Sequence, residues 1–430
     1  MDGASRTDSR AEQRQQALKT RLAALNLPEG GPAQAAARDR LAAMGLPHPR
    51  DEYWLYTNPA ALNAAQPAPV AATAAADGVL FEGLNRLRLV FVDGRFDAAA
   101  SDPLVLDGAE IATLAQGAAW ADALYGTLEA EGQAPVARPL ATLNTAAAQD
   151  GLLIRVTGKP ARPIHIIHRR ADPAADPIWH HVIRVEPGAE ATVLETGSSG
   201  ARFNSVIEAD IADTGRLHHL TAMRAEHDRV SVAHIFARLG AESLFKSFAL
   251  TADGLMMRNE SVVWLNGDDG VAHVAAAVLG DAAESEFHHD DTVFITHAAE
   301  RCESRQVFKK VLKNGAVGVF QGKILVKPGA QKTDGYQISQ ALLLDEGSQF
   351  LGKPELEIYA DDVKCSHGST TGAIDEGALF YLRSRGVPKD RAIVLLVLSF
   401  LADTLEEIED ETLREQISDR LETWLTRHSG

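Results

Sequence analysis

Three textures of apolar and polar positions succeed one another along the chain. Over residues 10–27, Leu18, Leu22 and Leu25 recur at helical spacing among Arg, Gln and Lys until PEGGP breaks the pattern, which predicts an amphipathic helix. A second helix is expected over residues 35–44, stopping at Gly45. The LPHPRDEYWLYTNP segment that follows, rich in Pro and aromatics, reads as a loop able to pin against a surface. Residues 60–77 have no apolar face of useful size and read as a linker, with a boundary expected there. Beyond it, RLRLVFVDGRF (residues 86–96) alternates around an Asp-Gly turn as a hairpin does, whereas residues 110–131 return to a helical pattern.

From Gly151 onward the texture changes to short β-branched and apolar runs such as LLIRV, IHII, HVIRV, ATVLE, SVAHIFARL, VVWL and VGVFQGKILV, which predict strands. Gly or Asp-Gly punctuates them at intervals suited to turns, but no strict repeat is visible, so periodicity alone allows a sandwich, a barrel or an irregular solenoid. After Gly368 helical patterning returns. Asp375 is placed to cap a helix containing Leu379, Phe380 and Leu382, Gly386 to end it and Pro388 to open the next. A last helix carries Leu413, Ile417, Leu421 and Trp424 on one face.

Composition narrows what such a chain does. With 430 residues, 45% of them hydrophobic, two to three domains and a substantial core are expected. The excess of 59 acidic over 42 basic residues, a net charge of -17, argues against nucleic acid and anionic membranes as partners. Two cysteines, Cys302 and Cys365, are too few for a disulfide framework, and the polar start lacks the apolar core of a secretory signal, so a reducing cytoplasm is expected. The most apolar stretch, residues 392–402, is about half the ~20 residues that span a bilayer, and no membrane segment is expected.

Three strings invite a chemical reading. GSQFLGK (residues 347–353) has P-loop spacing, but Pro354 stands where Ser or Thr should hold magnesium, and a strand-like LEIYA replaces the required helix; no nucleotide is expected on this chain. FHHDDTVFITH concentrates His288, His289, Asp290, Asp291 and His297. Adjacent strand residues point to opposite faces, so only alternate members such as His289 and Asp291 can converge; a metal role and internal hydrogen bonding are both open. Cys365-Ser-His367 places a thiol and an imidazole on one face of a strand, with Cα atoms roughly 7 Å apart, as part of a metal or cluster site or as a buried thiol beside a hydrogen-bonded imidazole. Read as one regular strand, the run puts Leu356, Ile358 and Ala360 on one face and Glu357, Tyr359, Asp361, Cys365 and His367 on the other, with Val363 breaking the pattern.

The densest motifs are RCESRQVFKKVL, GVFQGKILV, KTDG, KPELEIYADDVKCSHGSTTG and LFYLRSRG, with weaker LNTAAAQDG and LPHPRDEYWLYT upstream. On these the chain resembles the SufB/SufD family of iron-sulfur cluster assembly scaffolds. ADDVKCSHG and the two cysteines match its SufD type better than its SufB type. The resemblance implies a mainly β fold: a right-handed parallel β-helix core, flanked by N-terminal helical or mixed and C-terminal helical regions, with residues 1–85, 86–368 and 369–430 as the divisions. It implies a non-catalytic scaffold that pairs with a SufB-like chain, docks a SufC-like ATPase and supports cluster assembly and iron acquisition. Self-pairing in isolation is a further expectation. Cys365 and His367 correspond to family residues at the SufB junction, where iron or a nascent cluster is expected. The apolar 392–402 segment is either the ATPase docking surface or packing within its own region. A SufB-like core scaffold, and a stand-alone β-helix enzyme acting on polysaccharide through clustered carboxylates, are the alternatives.

Overall fold

The computed structural model describes residues 2–70, 80–198, 200–224 and 228–428. The N-terminal region supplies α1 (Asp2–Ala23), α2 (Pro32–Met44) and α3 (Ala60–Asn63). Gly45, at φ 68°, closes α2 in the left-handed region that its lack of a Cβ makes accessible. The 60–77 stretch therefore begins as a helix, with Leu62 buried; residues 71–79 lie outside the described residues. The expected hairpin is β1 (Leu87–Val92) and β2 (Arg95–Phe96), joined through Asp93 and Gly94, both at positive φ as a primed turn requires.

Residues 110–131 depart from the helical expectation. β3 (Val105–Leu106) and β4 (Ala109–Thr113) form first, because Glu110 to Thr113 pair antiparallel with β5 (Leu152–Val156). Only then come α4 (Ala119–Asp122) and α5 (Thr127–Glu131), followed by α6 (Pro139–Ala147), which is buried along its whole length.

The strand-rich middle then winds regularly. Its strands are β6 (Ile164–Arg169), β7 (Ile178–Val185), β8 (Glu190–Gly197), β9 (Arg202–Ile211) and β10 (Arg216–Arg224). The next five are β11 (Val230–Leu239), β12 (Leu244–Ala252), β13 (Met256–Leu265), β14 (Val271–Asp281) and β15 (His288–His297). The last are β16 (Glu303–Lys313), β17 (Val317–Val326), β18 (Asp334–Leu343), β19 (Gln349–Ile358) and β20 (Lys364–Gly372). β1, β2 and the even-numbered strands from β6 form one ten-stranded sheet, and β4 with the odd-numbered strands from β3 forms the other, with parallel pairing along both from β5 and β6 onward. This is a parallel β-helix, so of the three architectures periodicity allowed, the solenoid is the one adopted.

A core of Ile, Val, Leu, Phe and Ala from both sheets fills the lumen. Each outer face is covered as well. On the odd sheet, Leu18, Leu41, Trp54, Leu140 and Leu143 pack against Ile178, Val232 and Met256. The aromatic loop is pinned there too: Arg258 lies 4.2 Å from the Trp54 ring centroid and Tyr53 Oη donates to Glu355 at 2.7 Å. On the even sheet lie α8 (Lys389–Leu405) and α9 (Glu411–Arg427), reached through α7 (Glu376–Ser384), whose N-terminus Asp375 caps by accepting from the Gly377 and Ala378 amides. Their Val394, Val397, Leu401, Ile417, Leu421 and Trp424 close over Leu220, Phe248, Leu250 and Val307. Burial on both faces is why the strands read as nearly continuous apolar runs. No helix among the described residues is long and apolar enough to cross a membrane.

Candidate functional site

The 353–368 block is not one strand. β19 ends at Ile358, residues 359–363 turn a corner, and β20 begins at Lys364 in the other sheet. The facing of Leu356 and Ile358 therefore says nothing about that of Cys365. Ala360 in the corner is buried with Ile324, Val326 and Ala330, and the Cys365 side chain packs beside this group with Leu356 and Val363.

Cys365 and His367 sit two residues apart on β20, so they share a face. Their partners on β18 are Gly335 and Gln337. Gly335 leaves the thiol close room: a Cβ there would lie 3.2 Å from Cys365 Sγ, so a larger residue would press on it. Cys365 is half-buried and His367 exposed. Burial pushes the Cys365 thiol above its ordinary value, with the Asp334 carboxylate adding to the shift against a backbone hydrogen bond from Gly335. The free thiol is therefore protonated at neutral pH, and a metal must displace its proton to bind. Among the described residues no third Cys, His, Asp or Glu gathers with these two, so alone they are fewer donors than a metal site takes. β20 is the last strand of its sheet and β19 the last of the other, each paired on one side only among the described residues. Beside them Ile358 and Tyr359 are exposed, at 39% and 59%.

The other candidates are absorbed by internal bonds. β15 sends its residues to opposite faces, as alternation requires. Outward, Asp290 takes Thr57 Oγ1 at 2.6 Å and pairs with Arg258, while His288 Nε2 lies 3.0 Å from Thr57 Oγ1, all beneath the N-terminal loop. Inward, His289 and Asp291 do converge, but on an ammonium: Lys310 Nζ lies 2.6 Å from Asp291 Oδ2 and 2.9 Å from His289 Nδ1. Burial opposes ionisation of Asp291, yet Lys310 and His289 hold its carboxyl far below the usual range. His297 Nε2 lies 2.8 Å from Ser304 Oγ. These carboxylates are covered and paired, unlike the open carboxylate groove of a polysaccharide-active enzyme. Lys353, the lysine of the P-loop-like string, lies in β19 and is held by Glu52 at 2.9 Å, Glu355 at 3.1 Å and the Tyr53 ring.

One cluster escaped the sequence reading. His168, His181 and His219 turn their Nε2 atoms toward the Glu195 carboxylate in the lumen, at 3.2, 3.6 and 3.3 Å. Glu195 follows His168 by 27 positions and precedes His219 by 24, so no local motif joins them; the spacing is that of successive coils. Burial alone would raise the Glu195 carboxyl, but hydrogen bonds with His168 and His219, with the His181 ring close by, outweigh it and hold it well below the usual range.

The SufBD core domain of the SUF system for FeS cluster assembly matches residues 170–400 of the chain. The iron-sulfur cluster assembly protein SufD of Escherichia coli is 30% identical over 396 residues, covering 89% of this chain and 90% of that protein. An iron-sulfur cluster assembly SufBD family protein of Synechocystis is 27% identical over 399 residues, 86% of each chain. SufD of Bacillus subtilis is 31% identical over 159 residues, 37% of this chain and 36% of its own.

Proposed function

Because the chain belongs to the SufB/SufD family of SUF iron-sulfur cluster assembly proteins, SufD-like in its similarity, we propose that it is the non-catalytic SufD-type scaffold of a cytoplasmic assembly complex. In this reading it pairs with a SufB-like chain through the C-terminal end of its β-helix, and Cys365 and His367 contribute to holding iron or a nascent cluster at that junction. The cluster is cargo, not a resident cofactor.

The observation that carries the reading is the position of the two residues. They lie on β20, whose outer edge has no partner among the described residues, and they supply only part of the three or four ligands that iron or a cluster takes. Sulfide and the facing chain are the sources that complete such a site. An unpaired edge strand is itself a template for pairing with another chain.

Docking of a SufC-like ATPase is placed on the 369–430 region, and its location there is revised. The apolar stretch around Val394, Val397 and Leu401 faces the chain's own even sheet, which favours packing within its own region over a docking face. The aromatic surface available to a partner lies on α7, where Phe380 is 75% and Tyr381 57% exposed, with Leu395 of α8 at 37%. Within residues 1–85, Leu18, Leu41 and Trp54 help cover the odd sheet while Phe81 joins the cluster on the even sheet, and residues 86–368 are the scaffold body.

Copurification with tagged SufB-like and SufC-like partners from the same source, followed by iron and acid-labile sulfide analysis, tests the proposal. Cys365→Ala and His367→Ala should keep the complex but lose cluster. Full cluster content in both variants, or no complex with the wild type, would overturn it.

A further inference from the structure

The last strand of the odd sheet is poorly held by the sheet itself. β19 pairs only with β17 among the described residues, and none of its ten residues is buried, whereas β17 is buried along most of its length. Strands with few buried contacts and one ladder of hydrogen bonds open locally at low cost. What crosses the outer face of β19 comes from far away in sequence: the aromatic segment 52–57, whose Tyr53 stands 302 residues from its partner Glu355.

The segment is first made fast on the inner strands. Arg258 of β13 lies over Trp54 and donates from Nη1 to the Tyr53 carbonyl at 2.9 Å, and Gln321 of β17 donates to the same carbonyl at 3.2 Å. Thr57 Oγ1 donates to Asp290 of β15 at 2.6 Å. From this anchorage the Tyr53 side chain, edge-on to Phe294 of β15 with ring centroids 5.1 Å apart, reaches β19. Its Oη donates to Glu355 at 2.7 Å, and Lys353 Nζ stands 4.1 Å from its ring centroid. Glu52 adds an ion pair with Lys353 at 2.9 Å, but its side chain is 70% exposed, and exposed pairs contribute little. The weight therefore falls on Tyr53, through a hydrogen bond to a charged acceptor and a ring beneath an ammonium.

We propose that Tyr53 is a positioning residue for the C-terminal edge: the 52–57 segment straps β19 to the inner strands of the odd sheet, so that the free chain meets its partner with this edge already formed. The role toward a partner rests on the pairing proposed above; the strap itself does not. A chain whose binding-competent form is only partly populated binds with its affinity lowered by that fraction, and an edge ordered beforehand removes the loss. The N-terminal region thereby takes part in assembly at the opposite end of the β-helix, through the strand that its loop holds down.

Hydrogen exchange of the full-length chain, read by mass spectrometry, tests the strap. Tyr53→Phe, which removes only the hydroxyl, should speed exchange across residues 349–358 by about 10-fold, and Tyr53→Leu, which also takes the ring from Lys353, by about 100-fold, with β11 and β13 unchanged. Tyr53→Leu should also raise the apparent dissociation constant for the SufB-like chain by about 2- to 10-fold. Val232→Ala, which opens a cavity beneath the N-terminal helices, is the comparator: it should lower the melting temperature and leave both β19 exchange and partner affinity as in the wild type. Should Tyr53→Leu fail to fold, Tyr53→Phe decides. Exchange in β19 that is unchanged by the Tyr53 variants, or quickened equally by Val232→Ala, would overturn the strap. Faster exchange with unchanged affinity would overturn the positioning role, whereas a wild type that does not pair at all would strike the pairing reading and leave exchange to decide the strap.

Discussion

Lys310→Met isolates one charged pair of the lumen. Lys310 and Asp291 are 0% and 2% exposed, and the ammonium contacts both Asp291 and His289, so methionine, of similar length, removes the charge while leaving little void. Breaking a buried pair by deleting one partner costs about 3–5 kcal/mol, a large part of the ~5–15 kcal/mol that separates folded from unfolded. Lys310→Met/Asp291→Asn removes both charges and should recover at least about half of that loss, a coupling that a double-mutant cycle measures directly. The pH dependence follows from the direction of the Asp291 shift. Its folded pKa is depressed, so its contribution in the wild type is full above about pH 4 and is lost as pH falls through the folded value. Without Lys310 the buried carboxyl rises above its unfolded value instead and protonates as pH falls, so the gap between wild type and variant should narrow from neutral pH to about pH 4, and further below it. Urea unfolding followed by tryptophan fluorescence, at neutral pH and at pH 4, measures each quantity. A single variant within about 1 kcal/mol of wild type, or a double variant no more stable than the single, would refute the reasoning.

His367→Ala, at an exposed position, should leave the melting temperature of the isolated chain within about 0.5 kcal/mol equivalent, whereas loss of folding would return His367 to a structural role. Truncation after Gly386 removes α8 and α9 and bares Leu220, Phe248 and Leu250, so the product should aggregate; Phe380→Ala/Tyr381→Ala should stay monodisperse and lose ATPase binding, and a soluble truncation or unchanged binding would count against this division. Burial lowers the imidazoles of His165, His234 and His297 to about 3, 4 and 4, below their unfolded value of about 6.5. The folded state therefore binds fewer protons below pH 6.5, and each should remove up to roughly 1.4 kcal/mol of stability per pH unit as acid is added toward pH 4. Urea midpoints that stay flat between pH 6.5 and 4.5 would exclude this.

Strand positions were legible because burial on both faces leaves a continuous apolar signature, and the C-terminal helices because Asp375, Gly386 and the Leu413 to Trp424 stripe carry their own start, stop and facing. The coil repeat was not. Its corners between odd and even strands adopt positive φ at Thr214, Glu242, Asp269, Arg301 and Lys332, side chains that do not announce a left-handed turn as glycine does. The cost is met by a ladder: the Thr214, Glu242, Asp269 and Arg301 amides donate to Ala241, Asp268, Glu300 and Gln331 of the next corner. Residues 110–131 were misread because pairing of Glu110 to Thr113 with β5, a contact distant in sequence, overrides local periodicity. Cys365 and His367 were visible as a local string, but the corner separating them from Leu356 was not. The Glu195 cluster becomes visible only when residues about one coil apart are read as neighbours.

The two ends of the β-helix differ in a way that bears on the role proposed for Cys365 and His367 at one of them. At the N-terminal end both sheets finish in two-residue strands, β2 and β3, held in antiparallel turns. Short, turned edges of this kind are how sheets avoid recruiting another chain. At the C-terminal end the sheets finish in ten-residue β19 and nine-residue β20. Each backbone there has an edge free of strand partners among the described residues, and the two edges lie in different sheets at the same end. A second β-helix end presents the matching pair of edges, which a single added peptide does not. In the proposed reading the ligands on this edge are completed only when the partner arrives, and the raised Cys365 thiol remains protonated until a metal displaces its proton. If Cys365 and His367 act as proposed, metal capture is tied to assembly: the isolated chain should hold metal weakly at the junction, and affinity there should appear together with the paired edges.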